Sequence, residues 1–130
     1  MEAQAYISED IPAPNLNIFD EEELHDYKYK TRKTFEDQIR MQKNHMGTWR
    51  KYAKWEGILG EYERARSIFE RALEINPYDT RVFEDYVEME MKNKFFDHAR
   101  NIWERACFRM PSQDKLWLKY TEMEVRLGNY

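Results

Sequence analysis

The chain has 130 residues, 42% hydrophobic and 35% charged, with a net charge of −4. That is the length of one domain and the balance of a globular fold with extra surface charge. A single cysteine, Cys107, excludes an internal disulfide and fits a reducing compartment; no apolar run approaches the ~20 residues a membrane span needs, and no signal-peptide pattern opens the chain.

Residues 1–19 hold two prolines and no basic residue. They read as an acidic, extended or disordered leader. The first 26 residues carry eight acidic side chains and no Lys or Arg, a charge of −8, against 21 basic and 17 acidic residues, +4, in the remainder. Asp20 has the form of a helix N-cap, with Glu23 as the reciprocal acceptor of a capping box. The run Asp20 to Glu23 also suits the positive end of a helix dipole. A helix is predicted from about Glu21 to about Lys43.

From there the chain repeats every 34 positions. Trp49, Tyr52 and Glu56 return as Phe83, Tyr86 and Glu90, then as Trp117, Tyr120 and Glu124. Ala65, Arg66, Phe69, Glu70, Arg71, Ala72 and Pro77 return as Ala99, Arg100, Trp103, Glu104, Arg105, Ala106 and Pro111. Upstream, Arg32, Phe35, Glu36 and Ile39 stand in register with Arg66, Phe69, Glu70 and Leu73. The period therefore divides the chain into a leader at 1–19, an N-terminal helix with a degenerate half-repeat at 20–46, repeats at 47–79 and 80–112, and the first helix of a truncated repeat at 113–130. A fixed period of this size marks an all-α, right-handed α-solenoid of antiparallel helix hairpins.

Each repeat reads as a helical hairpin. The first helix, about Thr48 to Leu59, closes at Gly60, which can take the left-handed conformation of a C-terminal cap. The second, about Tyr62 to Ile75, stops before Asn76-Pro77. The next pair covers about Thr80 to Lys92 and Phe95 to Arg109, and the last helix about Gln113 to Leu127. At 100° per residue, Trp49, Tyr52, Ala53, Trp55 and Glu56 span an arc of about 160°. That is wide enough for two packing partners. Ala65, Ile68, Phe69, Ala72 and Leu73 make the stripe of the second helix, where small alanines allow close backbone approach. Glu56, Glu90 and Glu124 fall within or beside the apolar arc. Carboxylates so placed are expected to accept hydrogen bonds from nearby Tyr or Arg, with Arg66 and Arg100 as the natural donors. Leu116, Trp117, Tyr120 and Met123 are expected to lack a covering second helix, so that this end meets either more of the array or a partner.

"WRKYAKWE" followed by "ERARSIFERALEINP" resembles half-a-tetratricopeptide (HAT) repeats rather than ordinary tetratricopeptide repeats. Tyr and Glu hold the first-helix anchors, and Arg66 with Glu70-Arg71-Ala72 the second. "DEEELHDYKYKTRKTFEDQIR", ahead of "WRKYAKWE", "VEMEMKN" and "HARNIWERA", is similar to the start of crooked neck-like splicing factors, from about Phe19 to Asn129. That resemblance implies a non-catalytic scaffold in pre-mRNA splicing. It also implies a nuclear location, partners among spliceosomal proteins of the NineTeen-associated complex, and a far longer array of which this is the N-terminal portion.

No feature of the chain points to a catalyst, a metal or a cofactor. The four glycines are scattered, and His25, His45 and His98 lack metal-ligand spacing. Cys107 reads as a small packing residue. Between Tyr27 and Lys54 lie nine basic residues, Lys28, Lys30, Arg32, Lys33, Arg40, Lys43, Arg50, Lys51 and Lys54, against Glu36 and Asp37. With Tyr27, Tyr29 and Phe35 interleaved, this stretch could follow an RNA backbone, whether snRNA or pre-mRNA, or dock an acidic protein segment. Two other readings stand beside the splicing scaffold. One is a HAT scaffold of another RNA-processing assembly, such as mRNA 3′-end formation or rRNA maturation. The other is an RNA-contacting module working through residues 27–54.

Overall fold

A computed structural model describes residues 20–128. The acidic leader at 1–19 lies outside the described residues. The described residues form six α-helices and no strand: α1 (Glu21–Met41), α2 (Met46–Ile58), α3 (Tyr62–Ile75), α4 (Thr80–Lys92), α5 (Phe96–Arg109) and α6 (Asp114–Arg126). They fall into two compact units, one ending at Ile75 and the other beginning at Asn76.

In the first unit, α2 packs on both α1 and α3. The cap at its start is clear: Asp20 Oδ1 accepts from the Glu23 amide at 2.7 Å, and Glu21, Glu22 and Glu23 fill the first turn of α1. Only Thr31, Phe35 and Ile39 of α1 are buried, a stripe at four-residue spacing that meets α2. The Phe35 ring stacks on Tyr52 with centroids 4.8 Å apart. Helix α2 begins two residues before the predicted Thr48, because His45 caps it: Nδ1 accepts from the Thr48 amide at 3.3 Å and lies 2.8 Å from Thr48 Oγ1. Its buried set, Met46, Thr48, Trp49, Tyr52, Ala53, Trp55 and Glu56, matches a helix packed on two sides. On α3 the predicted stripe is buried in full, with Ala65 and Ala72 at 0% exposure.

The second unit is α4 packed on α5, with α6 against α5. Asp79 caps α4, accepting from the amides of Arg81 and Val82. Val82, Phe83, Tyr86, Val87 and Glu90 are buried on α4, and Ala99, Ile102, Trp103, Ala106 and Cys107 on α5. At the end of the array the expectation is corrected in part. Leu116 and Met123 are each 1% exposed, covered by packing within the unit, whereas Trp117 is 46% exposed.

The hairpin turns share one backbone device. Gly60 (φ +79°), Lys94 (φ 64°) and Gly128 (φ +82°) take the left-handed conformation one repeat apart. In the two complete turns the next amide bonds back to the helix: Glu61 N to Glu56 O at 3.0 Å and Phe95 N to Glu90 O at 2.8 Å. This 6→1 bond closes the helix end as in a Schellman motif. Lys94 adopts this conformation against the steric preference of an L side chain. Lys94→Gly is therefore expected to raise unfolding stability by about 1 kcal/mol, read as a higher urea midpoint with an unchanged slope; an unchanged or lower midpoint would contradict the account.

Candidate functional site

Charged groups buried between helices define the site. Glu56 is 0% exposed on α2. Arg32 of α1 grips it with a guanidinium fork: Nε donates to Oε2 at 2.8 Å and Nη2 to Oε1 at 3.0 Å. The Arg32 Cζ sits 5.8 Å from the Trp55 ring centroid, and its Nη2 lies 3.8 Å from Glu61 Oε2. The Glu56 carboxylate raises the Arg32 pKa above its ordinary value. In the second unit Arg100 of α5 donates through Nε to Glu124 of α6 at 3.0 and 3.2 Å, and through Nη1 to Asp97 at 3.0 Å. In both pairs the carboxylate lies 24 positions after the arginine. The donor to Glu56 is thus Arg32, from the degenerate half-repeat. Arg66 pairs with Glu63 on its own helix. Glu90, also 0% exposed, occupies the register of Glu56, and His98 Nδ1 lies 3.8 Å from its Oε2.

A second clamp lies beside the first, and sequence reasoning did not single it out. Glu36 of α1 accepts from Arg71 Nη1 and Nη2 of α3 at 2.8 and 2.9 Å, and from the Tyr52 hydroxyl of α2 at 2.8 Å. One carboxylate thereby ties three helices together. The Arg71 hydrogen bonds hold Glu36 below the usual carboxylate range, with help from Tyr52 and against the cost of burial. Burial, and then Glu36, push the Tyr52 hydroxyl well above the ordinary phenol value. Arg71 also covers the Trp49 ring at 5.0 Å. Register was the available signal, since Glu36 precedes Glu70 by one period and Tyr52 is a repeat anchor.

The aromatic anchors close turns as well as filling space. Trp49 Nε1 donates to Lys43 O at 2.9 Å, and Trp117 Nε1 to Pro111 O at 3.1 Å, six positions back in both. Phe83, 0% exposed, has no side-chain N–H to offer Pro77 O. Arg109, its guanidinium 5.8 Å from the Phe83 ring, supplies that bond instead at 3.3 Å. Of the remaining anchors, Phe69, Tyr86, Ala99, Trp103 and Ala106 are at most 5% exposed, and Tyr120 is half-buried with its hydroxyl pKa raised by burial.

Much of the basic stretch faces carboxylates. Lys28 bonds Glu61 at 3.2 Å, Lys30 pairs with Asp26 at 3.0 Å, and Lys33 and Arg40 share Asp37 at 3.1 and 2.8 Å. The Tyr27 ring packs on Trp55, whose Nε1 donates to the Tyr27 hydroxyl at 3.3 Å. Lys43, Lys51 and Lys54 are exposed and Arg50 is half-buried. Cys107 is buried, and desolvation raises its thiol pKa. No helix of the described residues is long and apolar enough to cross a membrane, and among them no group of three His, Cys, Asp or Glu is arranged to hold a metal.

Two predictions follow from the clamps. Arg32→Ala leaves Glu56 buried without its fork and is expected to cost about 3 kcal/mol, the low end for a broken buried pair, because Arg32 keeps 19% side-chain exposure. Arg32→Met with Glu56→Leu should recover most of that loss in urea denaturation; a double variant as unstable as the single one would show that the fork is not the cause. For Glu36 the folded pKa lies below the unfolded one. Its contribution is therefore complete above the ordinary carboxylate pKa of about 4.3 and is lost as pH falls through the depressed value. The fall in the wild-type urea midpoint below about pH 5 should be shallower in Glu36→Gln; parallel profiles would refute the assignment.

The family model described as the pre-mRNA-splicing factor Syf1/CNRKL1 N-terminal HAT repeat matches residues 31–129. Crooked neck-like protein 1 of Mus musculus is 55% identical over 65 residues, 50% of this chain and 9% of that protein. The protein of the same name in Homo sapiens is also 55% identical over 65 residues, 50% of this chain and 8% of its own length. Pre-mRNA-splicing factor CLF1 of Debaryomyces hansenii is 39% identical over 87 residues, 66% of this chain and 12% of that protein. The alignments thus take in 8–12% of these relatives' lengths. With most of its residues inside the family match, the chain belongs to the Syf1/CNRKL1 N-terminal HAT-repeat family of pre-mRNA-splicing factors.

Proposed function

We propose that the chain is a non-catalytic scaffold of pre-mRNA splicing in the nucleus. It holds other spliceosomal proteins through its HAT hairpins as part of the NineTeen-associated complex. In this reading the repeats at 47–79 and 80–112 present the binding surface. The observation that carries it is the match of residues 31–129 to a splicing-factor repeat family. The chemistry agrees: Glu36, Glu56 and Glu124 are each tied to an arginine of another helix. A protein partner is favoured over RNA because Lys28 and Arg32 are held between helices by Glu61 and Glu56, which limits their availability to phosphates.

Purification of the tagged chain from nuclear extract tests this. Spliceosomal proteins of the NineTeen-associated complex should be recovered, and recovery should survive ribonuclease. Partners confined to 3′-end-processing or rRNA-maturation factors would move the scaffold to another assembly. Loss of all partners on ribonuclease treatment would favour an RNA-contacting module.

A further inference from the structure

The first unit carries an open groove of about 470 Å³ between α1 and α3, lined on one side by His25, Tyr29, Lys33 and Arg40 and on the other by Arg64. Arg32, Glu36 and Asp37 form the rest of its wall. These groups differ in how freely they can change partners. Arg32 is committed to buried Glu56, and Glu36 to Arg71 and Tyr52. Moving Arg32 would strand the desolvated Glu56 carboxylate, and moving Glu36 would give up three hydrogen bonds at once. Lys33 and Arg40, with side chains 63% and 75% exposed, share one carboxylate on their own helix. Such solvated pairs are weak and exchange readily. Arg64 is exposed and has no ion pair among the described residues. Beside it Tyr29 presents a ring at 62% exposure.

We propose that this groove receives an acidic segment of a partner protein. Arg64 is its principal contact, Lys33 and Arg40 take a second carboxylate in exchange for Asp37, and Tyr29 packs on the intervening apolar atoms. The allocation of charge favours a peptide over RNA. A nucleic-acid strand brings a phosphate at every nucleotide and needs a run of uncommitted cations. Here one guanidinium has no ion pair among the described residues, two cations are exchangeable, and the wall carries Glu36 and Asp37. An arginine fork also matches the planar geometry of one carboxylate.

The inference rests on the scaffold reading and adds a partner chemistry to it. The whole 130-residue chain would be titrated with a fluorescent oligoglutamate peptide and, separately, with an oligouridylate of equal charge. Oligoglutamate should bind, and Arg64→Glu should weaken it by about tenfold. Lys115→Glu, at an exposed position of α6, should leave it unchanged. Arg64→Glu places an acid in the first turns of α3, where the helix dipole accepts it, so its thermal melt should coincide with that of the wild type. Undetectable oligoglutamate binding, or binding equal in Arg64→Glu and wild type, overturns the proposal. Tighter oligouridylate binding that falls with Arg64→Glu overturns it in favour of a nucleic-acid groove. Recovery of splicing proteins by the Arg64→Glu chain, with no peptide binding by the wild type, removes the groove and leaves the scaffold standing. Failure of the wild type to recover any removes the scaffold whatever the peptide does.

Discussion

A carboxylate in an apolar interior is tolerated only where a matching cation reaches it, and that constraint organises this chain. Glu56 is 0% exposed among Trp, Tyr and Ala side chains on a helix packed on both faces. Burying a lone ionised carboxylate is far costlier than burying a methylene is favourable. Arg32 answers it with two parallel hydrogen bonds. Because a fork tolerates little misalignment, the pair also fixes how α1 lies on α2. Arg100 and Glu124 pair between α5 and α6 at the same 24-residue step, through the single Nε of the guanidinium and with a half-buried carboxylate. Buried ion pairs contribute little net stability compared with hydrophobic replacements. Their use here is geometric, since they hold neighbouring helices in one arrangement.

The same repeat position can meet one physical need with different chemistry. A carbonyl left over at a turn is satisfied by the indole of Trp49 or Trp117, and by Arg109 where Phe83 has no donor. The left-handed residue closing a first helix is Gly60 and Gly128, yet Lys94 between them holds the same conformation. At that turn the Phe95 amide still bonds Glu90 O. The hydrogen bond is the invariant, and the residue that permits it varies. This is why the repeats can drift in sequence while each keeps its hairpin.

What a partner meets is set by which charges are already matched internally. Lys28 and Arg32 look like surface cations in the sequence, but they bridge α1 to Glu61 and Glu56. Tyr27 packs on Trp55 rather than standing free to stack on a base. Subtracting such groups leaves a surface of modest, exchangeable charge.

The period, the hairpins and the buried faces are legible in the amino-acid order, because these follow from local rules. Apolar spacing fixed the stripes of α2 and α3, Asn76-Pro77 fixed the end of α3, and Asp20 fixed the start of α1. It marked Glu56, Glu90 and Glu124 as carboxylates needing donors. It missed the His45 cap, whose ring nitrogen does the work usually given to an oxygen, and the left-handed Lys94. Only the tertiary structure decided which arginine meets which carboxylate, that Glu36 ties three helices, and that Leu116 and Met123 are covered while Trp117 is half exposed. Those outcomes depend on how helix axes pack across the chain, and no local spacing encodes which of several equally placed donors will lie opposite a given side chain.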